Sequence, residues 1–395
     1  MNNISSPIPL SVPSFSGNEW KYLKDCIDSG WVSSEGSYVR LFEDRLRRFT
    51  GARHAVACAN GTAGLQVALR LCGVGPASEV IVPAVTFIAP VNAARYLGAE
   101  PVFMDCDEFL NLDAAKLDEF CRRECVRTRA GLRNRRSGRI VKAVIPVHVF
   151  GSPCDMEAVM AAARRHGLKV VEDATESLGS RHTAGHWKGR HAGTVGHLGV
   201  FSFNGNKIIT AGGGGMIVTG DARLAERALY LANQAKDDPI RYVHDEVGYN
   251  FRLSNLQAAV GTAQLEMLPA ILRRKKRNFD LYRALLQEVE GVRFLGVPPG
   301  TAPNHWFYSL IVEKNRFGRD RDEVMAGLAR RGIQTRPLWR LNHRQRPYRR
   351  CQAYRIEKAP WFEARLLNLP CSRELTEAQV QRVAAAVAAL RRRRG

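Results

Sequence analysis

The stretch FSFNGNKIITAGGGG, residues 201–215, places a single lysine between an apolar, strand-like run and four consecutive glycines. A lysine amine that is partly buried, or that lies near another cation, loses its proton more readily and can then attack an aldehyde. The glycines would let the backbone pass close to a flat molecule, and Ser202 could donate a hydrogen bond to a phosphate. Lys207 is therefore a candidate nucleophile, and the alternative is an ordinary solvated loop lysine.

Two earlier stretches could serve the same chemistry. In CANGTAGLQVAL, residues 58–69, Gly61 and Thr62 stand at the start of a helix-like run, where free N–H groups and a partial positive charge can hold a phosphate. An ordinary helix cap without a ligand would look the same. In VVEDATESLGS, residues 170–180, an apolar strand ends in Glu172 and Asp173. A carboxylate there could cap the next helix, or it could hold a proton on a pyridine nitrogen and make the ring an electron sink.

The elements around these residues alternate between short apolar strands and amphipathic helices. Strands are predicted in EVIVPAV, PVFMDCD, VKAVIPVHVFG and LKVVEDA, and helices in GTAGLQVALRLCG, VNAARYLG and DMEAVMAAARRHG. Such alternation predicts an α/β fold in which helices cover both faces of a mostly parallel sheet. Ligands bind at the carboxyl ends of the strands in these sheets. Both Asp173 and the turn before Lys207 are expected at that edge.

The pattern changes after about residue 265. A long basic helix, LPAILRRKKRNFDLYRALLQEV, leads into the strand FYSLIVE, the helix RDEVMAGLARRG and a final helix, TEAQVQRVAAAVAALRR. This arrangement predicts a smaller α+β domain. We therefore expect a large domain over residues 1–262 and a small C-terminal domain over residues 263–395.

The composition excludes several classes of protein. The net charge is +21, and most of the excess is arginine, concentrated in residues 122–139 and Arg391–Arg394. Neither segment has the interleaved aromatic residues on which bases stack, so we predict a solvated surface that attracts an anionic substrate rather than nucleic acid. The nine cysteines include no CxxC pair, which argues against disulfides and a metal site. No membrane-length apolar run and no secretory signal are found, which predicts a cytoplasmic protein.

The order of the three stretches is informative. A phosphate-binding helix start, a strand-end aspartate and a lysine followed by glycines form the order of a fold-type I pyridoxal-phosphate enzyme. The chain resembles the nucleotide-sugar aminotransferases of the DegT/DnrJ type from near residue 8 to the last helix. The stretches that carry the resemblance are NGTAGLQVAL, EVIVPAVTFIAPVNAARYLGAEPVF, VIPVHVFGSPCDME, VVEDATESLG, FSFNGNKIITAGGGGMIVT, GYNFRLSNLQAAVGTAQL and LNLPCS.

The resemblance implies a role for each matching position around pyridoxal 5′-phosphate. Lys207 matches the lysine that joins the cofactor and then moves the proton, and Asp173 matches the partner of the pyridine nitrogen. The remaining matches are phosphate ligands at Gly61, Thr62 and Ser202, a ring-stacking aromatic at Phe87, and Glu176 where many members carry glutamine near the ring's 3′-oxygen. Asn250 matches an asparagine that reaches the cofactor of the other subunit, which implies a homodimer with shared active sites.

The chain is most similar to the branch that aminates UDP-linked 4-keto-6-deoxy N-acetylsugars, of the bacillosamine and legionaminic-acid type. The stretches that carry this similarity are PLSVPSFSGNEWKYLKDCIDSGWVSSEGSYV, NHWFYSL and TRPLWRLNH. The resemblance implies transfer of an amino group from glutamate to the 4-keto carbon, for surface polysaccharide synthesis. Expected substrate-side residues are Trp31, Ser33, His305, Tyr308, Trp339 and His343. Two alternatives stay open, a dehydratase-like relative and a non-catalytic regulatory member, although dehydratases of the family carry histidine in place of the lysine.

Overall fold

The computed structural model describes residues 6–238 and 240–392. The α-helices are, in chain order, α1 Glu19–Asp28, α2 Ser37–Thr50, α3 Gly61–Leu71, α4 Ala89–Tyr96, α5 Ala114–Arg123, α6 Met156–His166, α7 Ala222–Ala232, α8 Asn255–Leu286, α9 Lys314–Phe317, α10 Arg321–Ala329, α11 Ala359–Glu363 and α12 Glu377–Ala388. Short 3₁₀ turns cover Val149–Gly151 and Asn342–Arg344.

The strands are, in chain order, β1 His54–Cys58, β2 Ser78–Pro83, β3 Glu100–Met104, β4 Cys125–Thr128, β5 Gly131–Asn134, β6 Ile140–Val144, β7 Lys169–Asp173, β8 Arg181–His182, β9 Leu198–Ser202, β10 Gly215–Thr219, β11 Val292–Phe294, β12 Thr301–Ala302, β13 Tyr308–Val312, β14 Arg336–Pro337, β15 Ala353–Tyr354 and β16 Leu366–Leu369.

The large sheet has the order β1-β10-β9-β7-β6-β2-β3-β15. The five neighbouring pairs from β9 to β15 are parallel, and β10 is antiparallel to both β1 and β9. The expected mostly parallel α/β sheet is therefore confirmed. Because β7 and β9 run in parallel, their last residues, Asp173 and Ser202, lie at the same edge of the sheet.

Local signals explain where the helices begin and end. The Asp155 side chain accepts a hydrogen bond from the Ala158 N–H and starts α6, and Gly167, with φ of 74°, ends it in a left-handed conformation. A capping box of Ser254 and Gln257 starts α8, so this helix begins well before the basic stretch that predicted it. The helix then runs without interruption across residues 262 and 263. The division into domains at that point stays a prediction.

The C-terminal part of the chain has its own antiparallel sheet, with the order β11-β13-β16-β14. Its apolar side chains form a separate core with those of the second half of α8, α10 and α12; this core includes Phe279, Tyr282, Leu310 and Val383. The short pair β8 and β12 connects the two regions. A cleft between the two sheets results.

The arginine-rich segment 122–139 continues from α5 into a hairpin, β4–β5, that pairs with the start of β6. Asn134 anchors the hairpin because its amide donates to Glu79 and Gln352, at 2.7 Å each. In the basic tail, Arg391 pairs with Glu290, while Arg393 and Arg394 lie outside the described residues. Within residues 6–238 and 240–392, no helix combines the length and the apolar character that crossing a membrane requires.

Candidate active site

A cavity of about 660 Å³ opens where the carboxyl edge of the large sheet meets the C-terminal sheet. Seven of the residues that the sequence singled out line it together: Gly61, Thr62, Phe87, Glu176, Ser202, Lys207 and Trp339. Asp173 does not line the cavity, but its carboxylate accepts a hydrogen bond at 3.0 Å from the N–H of Thr175, which does. One pocket therefore unites the three stretches that are separated in the sequence.

The phosphate-binding candidates meet at the first turn of α3. The Asn60 side chain caps this helix by accepting from the Ala63 N–H at 2.8 Å. A Cβ placed on Gly61 would lie 3.0 Å from the Cβ of Ser202 and 3.0 Å from the Cγ2 of Thr175. Any side chain at position 61 would thus close the space between the helix start and the two hydroxyl-bearing residues. The bare backbone of Gly61 leaves this helix terminus open to an anion.

Glu172 and Asp173 are adjacent and have different partners. Glu172 is fully buried and accepts hydrogen bonds from His148 Nε2 at 2.9 Å and from the N–H groups of Gly193 and Val195 at 2.8 and 2.7 Å. Burial opposes its ionisation, but these donors outweigh burial and lower its pKa. Glu172 is a structural anchor, and Asp173 is the carboxylate beside the cavity.

The environment of Asp173 suits a partner for a cation. It is 2% exposed, and burial raises its pKa, while the hydrogen bonds from Thr175 and the nearby Lys207 work in the opposite direction. A carboxylate that burial destabilises gains strongly from a positive charge placed against it. The protonated pyridine nitrogen of a bound cofactor would supply such a charge.

Lys207 lies in the turn after β9, with its backbone N–H donating to the Asn204 carbonyl at 3.0 Å. Its Nζ lies 4.4 Å from the centre of the Trp306 ring and 3.6 Å from Glu176 Oε1. The side chain is 11% exposed and lines the cavity. The amine is therefore largely shielded from bulk solvent but accessible from the cavity. The expected partly buried lysine is present.

Several predicted residues lie outside this cavity. His305 stacks on Phe279, with ring centres 4.4 Å apart, and burial lowers its pKa to about 4. Tyr308 is fully buried in β13 and donates to the Lys275 carbonyl at 3.0 Å. His343 packs near Phe103, with ring centres 6.3 Å apart. This packing lends no support to the prediction that these three side chains bind substrate.

The remaining three predicted residues are on the surface of the chain. The carbonyls of Trp31 and Ser33 accept hydrogen bonds from the side chain and backbone of Asn255, at 2.6 and 2.7 Å, which ties their loop to the start of α8. Asn250 is exposed and pairs with Asn233 in an isolated bridge. Within one chain, none of the three lines the cavity.

Sequence reasoning missed a group of residues that also line the cavity. They lie in the 3₁₀ turn Val149–Gly151, in the turn before Lys207, and in or next to the C-terminal sheet. The residues are Phe150, Asn204, Asn206, Trp306, Phe307, Arg336, Arg340 and Asn368. Trp306 had a signal in the motif NHWFYSL, where its neighbours were chosen instead. Nothing in the sequence distinguishes Arg336 and Arg340 from the many other arginines.

Comparison with known proteins identifies the family of the chain. Residues 13–388 match the DegT/DnrJ/EryC1/StrS aminotransferase family. The chain belongs to this family. It is an aminotransferase that depends on pyridoxal phosphate and is of the nucleotide-sugar type.

Individual relatives agree with this assignment. The aminotransferase is 38% identical over 383 residues to the GDP-perosamine synthase of Caulobacter vibrioides, covering 96% of this chain and 97% of the relative. It is 34% identical over 377 residues to the GDP-perosamine synthase of Escherichia coli O157:H7, covering 94% and 95%. The structure of DesI with its TDP-sugar product superimposes with a TM-score of 0.86 at 32% identity, covering 98% of this chain and 93% of DesI.

The cavity of this aminotransferase fits pyridoxal phosphate. The cofactor carries a phosphate, a ring nitrogen and an aldehyde, and the cavity has a residue suited to each. The helix start that Gly61 keeps open could hold the phosphate, Asp173 the ring nitrogen and Lys207 the aldehyde. Among the described residues, no cluster of histidine, cysteine and acidic side chains is placed to bind a metal.

Proposed function

We propose that the protein transfers the amino group of glutamate to the 4-keto carbon of a nucleotide-linked 4-keto-6-deoxy sugar, with Lys207 as the catalytic amine. The observation that carries this proposal is the position of the Lys207 Nζ. This atom lies 3.6 Å from Glu176 Oε1 and 4.4 Å from the Trp306 ring centre, in the cavity between the large sheet and the C-terminal sheet. A surface lysine would have no such surroundings.

Each residue has a distinct task in this proposal. Bound pyridoxal phosphate supplies an aldehyde that combines with amines and an electron-poor ring that accepts the electron pair left when a proton departs. Gly61, Thr62 and Ser202 hold the phosphate, and Phe87 covers the ring. Asp173 holds the proton on the ring nitrogen. Lys207 Nζ takes a proton from the α-carbon of the amino donor. In the second half-reaction it gives a proton to C4 of the acceptor sugar.

The sequence prediction and the named relatives differ in the nucleotide of the substrate. Sequence reasoning favoured a UDP-linked N-acetylsugar, but the names of three relatives, at 34–38% identity, specify a GDP-linked sugar. These names favour GDP for this protein, and the UDP-linked sugar stays a prediction to be tested beside it. Arg336 and Arg340, which line the cavity, are suited to the diphosphate that either nucleotide carries.

A substrate panel tests the proposal. The purified protein is incubated with pyridoxal phosphate, glutamate and, in turn, GDP-, UDP- and dTDP-linked 4-keto-6-deoxy sugars, and product masses are read. We expect conversion of a keto group to an amine in at least one sample and none with Lys207→Ala. The Lys188→Ala variant, in which an exposed lysine is removed, is the matched control. Full activity of Lys207→Ala would reject the assignment.

A second measurement tests the non-catalytic alternative, and the substrate panel tests the dehydratase-like one. An aminotransferase reacts with glutamate in the absence of the sugar, because the amino group crosses in two half-reactions. The visible absorbance of the bound cofactor should therefore change when glutamate alone is added. A non-catalytic regulatory member would show no such change, whereas a dehydratase-like member would convert no keto group to an amine in the substrate panel.

We also infer a homodimer with shared active sites. Trp20 on α1 is 76% exposed, and large apolar side chains are exposed in the segment before Asn250, including Tyr242 at 71% and Val247 at 76%. Asn250 lies in the same exposed loop and outside the cavity of its own chain. Burial of these side chains against a second copy would remove apolar surface from water and could bring Asn250 to the partner's cavity.

A further inference from the structure

The Glu176 carboxyl has two oxygens with different surroundings. Oε2 accepts a hydrogen bond from the Phe150 N–H at 2.8 Å, and Oε1 lies 3.6 Å from the Lys207 Nζ. The residue is 4% exposed and lines the cavity. One oxygen is thus committed to the protein backbone, and the other faces the amine that would join the cofactor.

The carboxyl cannot easily turn away from this position. Phe150 has a φ of 54°, which is unusual for a residue with a side chain, and its ring packs on Trp339 with centres 4.7 Å apart. The Asn304 side chain donates to the Glu176 carbonyl at 2.8 Å and fixes the backbone on the other side. Both ends of the residue are held, so Oε1 keeps facing the cavity.

The charged groups around Glu176 are few. Lys207 stabilises its carboxylate, Asp173 destabilises it, and Arg336 and Arg340 line the same cavity from the C-terminal sheet and the turn after it. Burial raises the pKa of Glu176 to about 7, against the opposing effect of the Lys207 ammonium. While the Lys207 amine is free, the carboxyl therefore changes charge near neutral pH.

We propose that Glu176 binds pyridoxal phosphate as a neutral carboxylic acid, and that its Oε1 takes up one proton from solvent as the cofactor enters. The inference rests on the proposed role of Lys207. When the amine of Lys207 combines with the cofactor's aldehyde, Glu176 loses its stabilising ammonium, while the phosphate adds negative charge to the cavity. Both changes favour the protonated acid, while Asp173 and the protonated ring nitrogen that it would hold offset each other. A protonated acid can donate a hydrogen bond where a carboxylate could not.

The test compares cofactor binding by the wild type and Glu176→Gln as a function of pH. The amide keeps an oxygen for the Phe150 N–H and stays neutral. Apo-protein is titrated with pyridoxal phosphate between about pH 5.5 and pH 9, and the ratio of Kd, wild type over variant, is plotted. We expect a constant ratio below about pH 6 and a rise above about pH 7 that approaches tenfold per pH unit. Ionisation of the free cofactor is common to both proteins and cancels in the ratio, so the remaining pH dependence reports Glu176 and its coupling to Lys207 and Asp173.

The control is Glu108→Gln, since the Glu108 side chain is 68% exposed and does not line the cavity; its ratio should stay flat. A second readout needs no variant. The infrared difference spectrum of wild type, loaded minus apo at about pH 8, should gain the C=O band of a protonated carboxyl.

A flat or falling ratio for Glu176→Gln, or the absence of the infrared band, overturns the inference while leaving the proposed function intact. Failure of Glu176→Gln to bind the cofactor at any pH also contradicts it, because a neutral donor should suffice. Failure of the wild type to bind the cofactor overturns the site assignment and this inference together.

Discussion

Trp306 holds the turn that carries Lys207. Its ring centre lies 4.4 Å from the Lys207 Nζ, and its indole N–H donates to the Asn206 carbonyl at 2.8 Å. Trp306 is itself 3% exposed, and its carbonyl accepts a hydrogen bond from the buried Lys275 at 2.9 Å. A residue from just before β13 thus orients the amine that the turn after β9 supplies.

Trp306→Phe should slow cofactor capture without unfolding the protein. Phenylalanine keeps a ring beside Lys207 but loses the hydrogen bond to Asn206, so we expect a loss of about 1 kcal/mol, or roughly fivefold, in the rate of capture. The rate is measured by the absorbance change on mixing apo-protein with cofactor. Trp361→Phe, outside the cavity, is the matched control. An unaffected rate for Trp306→Phe would show that the hydrogen bond does not position the lysine.

Replacing the two adjacent acids of β7 should have opposite consequences. Asp173→Asn should retain part of the cofactor binding but slow turnover on the order of 100-fold or more, because an amide cannot keep the ring nitrogen protonated. Glu172→Gln should mainly destabilise the fold, by about 1–3 kcal/mol, because its amide NH₂ would face the buried N–H donors. Turnover and thermal unfolding of both variants distinguish the roles. Equal effects on both measurements would contradict the division.

Mixed dimers test whether the active sites are shared. If Asn250 serves the partner's cavity, Lys207→Ala and Asn250→Ala each impair both sites of a homodimer. A dimer of one Lys207→Ala chain and one Asn250→Ala chain has one complete site and should regain up to about half of the wild-type activity. Activity is measured after unfolding and refolding equal mixtures of the two variants. Mixtures no more active than the better parent would place Asn250 in its own chain's site or in none.

The buried His191 should make the fold sensitive to acid. Its Nε2 accepts a hydrogen bond from the Gly179 N–H at 2.7 Å, and its Nδ1 lies 2.6 Å from the Ala192 carbonyl, so the ring is neutral, with its proton on Nδ1. Burial lowers its pKa to about 3, below the value of about 6.5 in an unfolded chain. As the pH falls from about 6.5 towards 3, only the unfolded chain gains this proton, so stability is lost over that range.

The expected slope from His191 approaches 1.4 kcal/mol per pH unit. His191→Gln should be less stable than the wild type at neutral pH but should lose less stability on acidification. Denaturant unfolding at about pH 7.5 and pH 5 measures this difference. The exposed His186→Gln is the control and should keep the full wild-type dependence. An unchanged slope in His191→Gln would assign the acid sensitivity to other groups.

The sequence alone determined which residues could do chemistry and the type of fold that would carry them. Strand and helix signals act over a few residues, so the start of α3, the end of β7 and the turn before Lys207 were all predictable. The order of these motifs along the chain was enough to indicate pyridoxal phosphate, and the resemblance of longer stretches indicated the family.

Only the tertiary structure decided which side chains share the cavity. Glu172 and Asp173 have nearly the same chemistry and adjacent positions, and the hydrogen bonds from His148 and the loop at Gly193 separate their roles. His305 was chosen from the same motif as Trp306, yet the packing of Phe279 holds His305 outside the cavity while Trp306 lines it. Such choices depend on contacts between residues that are tens to hundreds of positions apart, and no local pattern encodes them.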